Sequence, residues 1–122
     1  MSEKQLELIK GTLDILILKT LSWGPRHGYA ISRAIRSRTE DMLQVEEGAL
    51  YPALRRMEKR GLLEASWGTT DTGRDARFYS LTPAGERHLE RSLGDWRSYV
   101  EAMSRVLFAE GPGDEAVANA GG

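Results

Sequence analysis

The sequence predicts a mainly α-helical fold with one small β-hairpin and a long C-terminal helix. Three observations predict it. Apolar residues recur at helical spacing through the N-terminal half. Two short runs, 62–67 and 76–81, alternate with period two instead. From Leu89 onward the apolar residues Leu89, Leu93, Trp96, Val100, Met103 and Leu107 stand at spacings of 4, 3, 4, 3 and 4, the seam of a coiled-coil contact.

The chain has 122 residues, 40% hydrophobic and 29% charged, a length and balance that suit one globular domain. A core of this size is marginal on its own, and a dimer would enlarge it. With no Cys, the chain has no disulfide, no thiolate nucleophile and no zinc site built on Cys. The two histidines, His27 and His88, lie far apart, and neither a metal nor another cofactor is expected. No basic segment leads into a long apolar stretch, and no strictly apolar run is longer than the four residues of Ile15–Leu18, too short to span a bilayer. A cytoplasmic protein that does not engage a membrane is expected.

The first helix is expected over Glu3 to Trp23. Leu6, Ile9, Leu13, Leu16 and Ile17 form one apolar strip, and Leu8, Ile15 and Leu18 form another. A helix apolar on two sides is buried on two sides. One side meets the core, and the other needs a second partner. Gly24-Pro25 ends it. The second helix spans His27 to Arg38, with Ile31, Ala34 and Ile35 inward and Arg33 and Arg36 outward. Leu43-Gln44-Val45 has room for one short strand. The third helix begins near Gly48, its start limited by Pro52. Leu50, Leu54 and Met57 are its buried stripe, and Gly61 after Lys59-Arg60 marks its end.

Next come the two strand-like runs, in which Trp67 and Tyr79 are expected as hairpin core. Gly68 to Asp75, read as their connection, is longer than the usual hairpin loop of about 2–5 residues. Thr82-Pro83 is a strong helix start, with Thr82 as N-cap and Pro83 at the first helical position. That last helix runs to about Ala109. Residues 111–113, Gly-Pro-Gly, open an acidic and glycine-rich tail expected to be disordered.

Three helices, a short strand and a hairpin with a long loop make a winged helix-turn-helix, in which the third helix enters the DNA major groove. The expected organisation is a DNA-binding domain over 1–82, a dimerisation helix over 83–109 and a tail over 110–122. The net charge of −1 speaks against nucleic acid only at first sight. Without residues 106–122, 17 basic residues stand against 15 acidic ones, so the decision falls to particular faces.

On the third helix Gly48, Tyr51, Pro52, Arg55 and Lys59 fall within roughly 100° of arc. Gly48 and Ala49 allow close approach to base edges. Tyr51 can donate to a phosphate, Arg55 can pair with guanine or reach a phosphate, and Lys59 suits the backbone. Glu46 and Glu47 oppose phosphates but favour the helix N-terminus. Arg74 beside Gly73 suits a narrow minor groove, and Arg77 follows on the strand. Arg26, His27 and the N–H groups near Gly28 can hold a phosphate. Plainer readings stand beside these. The basic residues 55–60 form a solvated face, Tyr51 is a partly buried core aromatic, His27 is a cap, Tyr29 is packing, and Trp96 fills a seam.

The stretches 11–18 (GTLDILIL), 23–29 (WGPRHGY), 47–54 (EGALYPAL), 61–63 (GLL), 73–74 (GR) and 77–85 (RFYSLTPAG) carry a resemblance to the short form of the PadR family of bacterial transcriptional regulators. It covers about residues 5–108. The resemblance implies a homodimeric transcription factor, usually a repressor, on a pseudo-palindromic operator. It implies dimerisation through the last helix with help from the first, which here involves Leu8, Ile15, Leu89, Leu93, Trp96, Val100, Met103 and Leu107. Parts of that family respond to small aromatic effectors, and Trp96, mid-seam, is the residue placed to meet one. Ala49 stands where Ser is common and Phe78 where Tyr is common, and the larger C-terminal domain of the long form is lacking. The competing function is a winged-helix protein-interaction module without DNA binding. An enzyme is excluded by the lack of a nucleophile–base pair, a phosphate-binding glycine loop or a metal cluster.

Overall fold

The structure, a computed structural model, describes residues 6, 8, 9 and 11–113. The elements in order are α1 (Leu13–Leu21), β1 (Arg26–His27), α2 (Gly28–Arg38), α3 (Glu47–Lys59), β2 (Leu63–Thr69), β3 (Asp75–Leu81) and α4 (Pro83–Leu107). The backbone falls into two compact units, Met1–Glu90 and Arg91–Gly122.

Helix α1 starts at Leu13, not at Glu3. Gly11 adopts φ +88°, a left-handed conformation that interrupts helical hydrogen bonding and that glycine takes without a Cβ clash. Thr12 then turns its hydroxyl to the Ile9 carbonyl at 2.6 Å. Leu6 is extended: its N–H donates to the Met42 carbonyl at 2.8 Å, and it bridges Leu43 in parallel. Leu6, Leu8 and Ile9 therefore do not belong to the helical strips. Among the described residues the segment Leu43–Val45 forms only that bridge.

The third strand of the sheet is β1 instead. The order is β1-β3-β2, all antiparallel, with Arg26 opposite Tyr79 and His27 opposite Phe78. Two residues are too few to show a period, so this strand left no pattern in the sequence.

In the first unit, Ile17, Leu18 and Leu21 of α1 are buried with Ile31 and Ile35 of α2. Leu50, Ala53, Leu54 and Met57 of α3, Leu63 and Tyr79 of the sheet, Leu89 of α4, and Val45 and Leu62 between elements complete the core. Arg56 ties α3 to α1 by an ion pair with Asp14 at 2.6 Å, so it is not simply solvated. The hairpin loop is shorter than expected, residues 70–74, because both strands extend further. Thr70 N–H donates to the Arg74 carbonyl at 2.8 Å, and Gly73 takes φ +84° to close the turn.

Trp67 is not hairpin core: it is 74% exposed. It shares a sheet face with Ala65, and its cross-strand partner is Arg77. The alternation holds, but the strand continues past the edge of the core. Tyr79, two residues along β3 from Arg77, is buried as expected.

Helix α4 starts as read. Thr82 Oγ1 accepts from the Gly85 N–H at 3.0 Å and donates to the Gly61 carbonyl at 2.6 Å. The cap thus also fastens the helix to the end of α3. In the second unit Trp96, Tyr99, Val100, Met103, Val106 and Leu107 are all exposed. Tyr99 and Val106 widen the seam into a broad stripe, and the Trp96 and Tyr99 rings lie 6.1 Å apart. Of the tail, residues 114–122 lie outside the described residues. Among the described residues no helix is long and apolar enough to cross a membrane.

Candidate nucleic-acid interface

The first unit carries an open groove of about 1120 Å³ between α2, α3 and the hairpin. Arg26, Arg33, Arg55, Arg74 and Arg77 line it, with the carboxylates Glu47, Asp71 and Asp75. Five cations against three anions make the groove attractive to a polyanion despite the acidic chain.

Helix α3 forms one wall. Its amphipathic spacing buries Leu50, Ala53, Leu54 and Met57 and leaves Gly48, Ala49, Pro52, Arg55 and Lys59 exposed. Pro52 stands inside the helix, beyond the first turn, where it removes one donor. Glu47 in the first turn is favourable to the helix N-terminus. Of the predicted α3 residues, Tyr51 and Arg55 line the groove, whereas Gly48, Ala49, Pro52 and Lys59 lie outside its walls.

Tyr51 is half-buried, between its two sequence readings. Its ring lies against Gly28: a Cβ there would come within 2.7 Å of the hydroxyl oxygen. Burial pushes the phenol pKa above its ordinary value of 10.0, and Glu47 and Tyr79 push the same way. Tyr51 therefore keeps its proton and remains a donor. Gly28, buried at the start of α2, is what leaves room for it.

His27 caps α2, with Nδ1 accepting from the Ala30 N–H at 3.4 Å. That hydrogen bond assigns the ring proton to Nε2. The His27 ring stacks on Tyr29 at 6.4 Å and meets Phe78 edge-on at 5.2 Å. Tyr29, expected as packing, is 62% exposed and lines the groove. Arg33 sits over its ring at 5.8 Å. Both residues were missed as groove residues. The signal available was their i, i+4 spacing one turn after the cap.

The cations are not equivalent. Arg77 pairs with Glu58 of α3 at 3.0 Å and lies over Tyr79. Arg26 donates through Nε to the Thr20 carbonyl at 3.2 Å. Among the described residues Arg33, Arg55 and Arg74 have no ion-pair partner. No three His, Asp or Glu side chains among the described residues converge as metal ligands.

On the dimer side, Leu8, Ile15 and Leu93 are half-buried, Leu89 is buried within its own chain, and Trp96, Val100, Met103 and Leu107 are exposed.

A helix pair of this kind, a β-hairpin flanking its second helix and an arginine-lined groove between them define a winged helix-turn-helix of the DNA-binding class. The model of the transcriptional regulator PadR-like family matches residues 17–91, and the chain belongs to that family. Its members are DNA-binding regulators of transcription rather than enzymes. The chain is 33% identical over 105 residues to protein X of Lysinibacillus sphaericus, covering 86% of this chain and 94% of that one. It is 37% identical over 82 residues to a transcriptional regulator of Mycobacterium tuberculosis, covering 67% of this chain and 60% of that one. Among solved structures, a transcriptional regulator from Clostridium thermocellum superposes with a TM-score of 0.74 at 29% identity, over 81% of this chain and 96% of that one. A PadR family regulator from Clostridium difficile superposes with a TM-score of 0.70 at 32% identity, over 80% of this chain and 99% of that one.

Proposed function

We propose that this chain is a repressor that binds a pseudo-palindromic operator as a homodimer in the cytoplasm. The observation that carries the reading is the groove, where among the described residues Arg33, Arg55 and Arg74 have no carboxylate partner and stand beside a phenol held as a donor. Arg55 pairs with guanine in the major groove, with Gly48 and Ala49 small enough to bring α3 close to the bases. Tyr51 and Lys59 hold phosphates, and Pro52 packs beside the backbone. Arg74 enters the minor groove from the loop. Arg26, Arg77 and the Nε2–H of His27 add phosphate contacts at the groove's other walls.

Dimerisation uses the apolar stripe of α4, with Trp96, Val100, Met103 and Leu107 at its centre and Leu93 at its start. Leu8 and Ile15 extend that interface. A flat aromatic effector stacks against Trp96 and Tyr99 in the dimer, and releases DNA by favouring one dimer geometry over another. Titration of flat aromatic compounds into native protein and Trp96→Leu tests this: binding lost in the variant supports the slot, and equal binding or none removes it.

The DNA reading is tested by operator affinity across a salt series. Log affinity falls linearly with log salt as counterions are released. Arg55→Ala lowers affinity by roughly 1–3 kcal/mol on the operator and far less on random duplex. Salt-independent or absent duplex binding contradicts the proposal and favours the protein-interaction module.

A further inference from the structure

At one edge of the groove and beyond it, three cations surround one indole. Trp23 follows α1 and is 43% exposed. The Arg38 guanidinium lies 4.5 Å from its ring centroid, the Lys19 ammonium 5.9 Å and the Arg26 guanidinium 6.0 Å. Among the described residues none of the three has an ion-pair partner, while neighbouring Arg36 is paired with Asp41. Three like charges gathered on one ring repel one another. The indole offsets part of that repulsion through its negative face, and the remaining positive potential is open to an external polyanion.

The patch is continuous with the groove at one residue. Arg26 lies over Trp23 and also lines the groove, whereas Lys19, Trp23 and Arg38 do not contribute to the groove walls. Lys19 and Arg38 thus lie off the groove walls, joined to them through Arg26. Cations with no base-reading geometry, fixed by an aromatic ring, suit the repeating phosphodiester backbone.

We propose that Lys19, Arg26 and Arg38, held in place by Trp23, form a second contact surface for the phosphate backbone of DNA flanking the operator. The proposal rests on the DNA-binding reading above. It assigns affinity to this patch and sequence readout to α3. Trp23 is a positioning residue: it holds the cations in register without itself supplying charge.

The test compares two duplexes, the operator alone and the same operator extended by a helical turn of arbitrary sequence on each side. Native protein binds the extended duplex more tightly. Lys19→Ala combined with Arg38→Ala loses about tenfold on the extended duplex, and flattens its salt slope by about 0.9 per phosphate contact removed. On the short duplex the same protein matches the native one. Trp23→Leu, with no change of charge, loses part of the flank-dependent affinity. Thermal melts and circular dichroism establish that both variants are folded. Equal affinity of native and variant proteins for both duplexes overturns the proposal and leaves the cations as a cover for the indole. So does a loss of the same size on both duplexes. Failure of native protein to bind either duplex overturns the underlying DNA reading instead.

Discussion

At the scale of single residues, the groove turns on Gly28 and Tyr51. A methyl group at Gly28 would overlap the Tyr51 ring and hydroxyl, so the phenol must swing away. Alanine is otherwise the better residue in a helix, by about 1 kcal/mol over glycine. Gly28→Ala therefore leaves the melting temperature within a few degrees of native but lowers operator affinity. Tyr51→Phe removes one hydrogen bond and costs about 1 kcal/mol of that affinity. Unchanged binding in both variants would remove Tyr51 from the interface. The raised pKa adds a second check. The native fold favours the neutral phenol, so this stabilisation is complete below pH 10.0. It is lost as pH rises through the higher native value. The native protein should lose stability in alkaline solution more steeply than Tyr51→Phe, measured as the difference between their melts. The same residue scale is where sequence reading fell short. Arg26 and Arg77 look free in the sequence, but the partners that engage them, Thr20 and Glu58, belong to other elements. Tyr29 resembles a packing residue until the His27 cap and the ladder of rings beside it are in place.

Among the elements, the helix starts were legible where a local hydrogen bond sets them, as at Thr82 and His27. The start of α1 was not. Apolar spacing runs on through Leu6 and Ile9, but the left-handed turn at Gly11 separates them from the helix. Trp67 shows the complementary error, since alternation fixes the face of a strand but not where the core beneath it ends. The first turn of α4 is the tightest junction. A Cβ on Gly85 would overlap the Leu62 carbonyl oxygen, a backbone atom that cannot rotate aside. Gly85→Ala should destabilise the protein by about 1–3 kcal/mol, read by denaturant melts. Thr82→Ala should cost about 1 kcal/mol through the lost cap. A Gly85→Ala protein as stable as the native one would contradict the packing described for this junction.

For the whole molecule, the second unit presents more apolar side chain than a lone helix keeps in water. Trp96, Tyr99, Val100, Met103, Val106 and Leu107 are exposed together, and a contiguous patch of that kind marks an interaction surface. In the proposed homodimer the same stripe of a second copy covers it, the isologous arrangement of a twofold interface. Val100→Asp puts a carboxylate without a partner in that interface. Light scattering should then show monomer, with operator affinity falling in parallel. An intact Val100→Asp dimer would move the interface elsewhere.

In the proposed complex two copies of α3 read one symmetric site. Selection of bound duplexes from random DNA tests it most directly. The pool should be enriched in two inverted half-sites whose centres lie one helical turn apart, about 34 Å, or a multiple of it. Guanine should appear at the position whose selection relaxes in the Arg55→Ala protein. A pool that is not enriched, or that converges on a single half-site with no inverted partner, would contradict it.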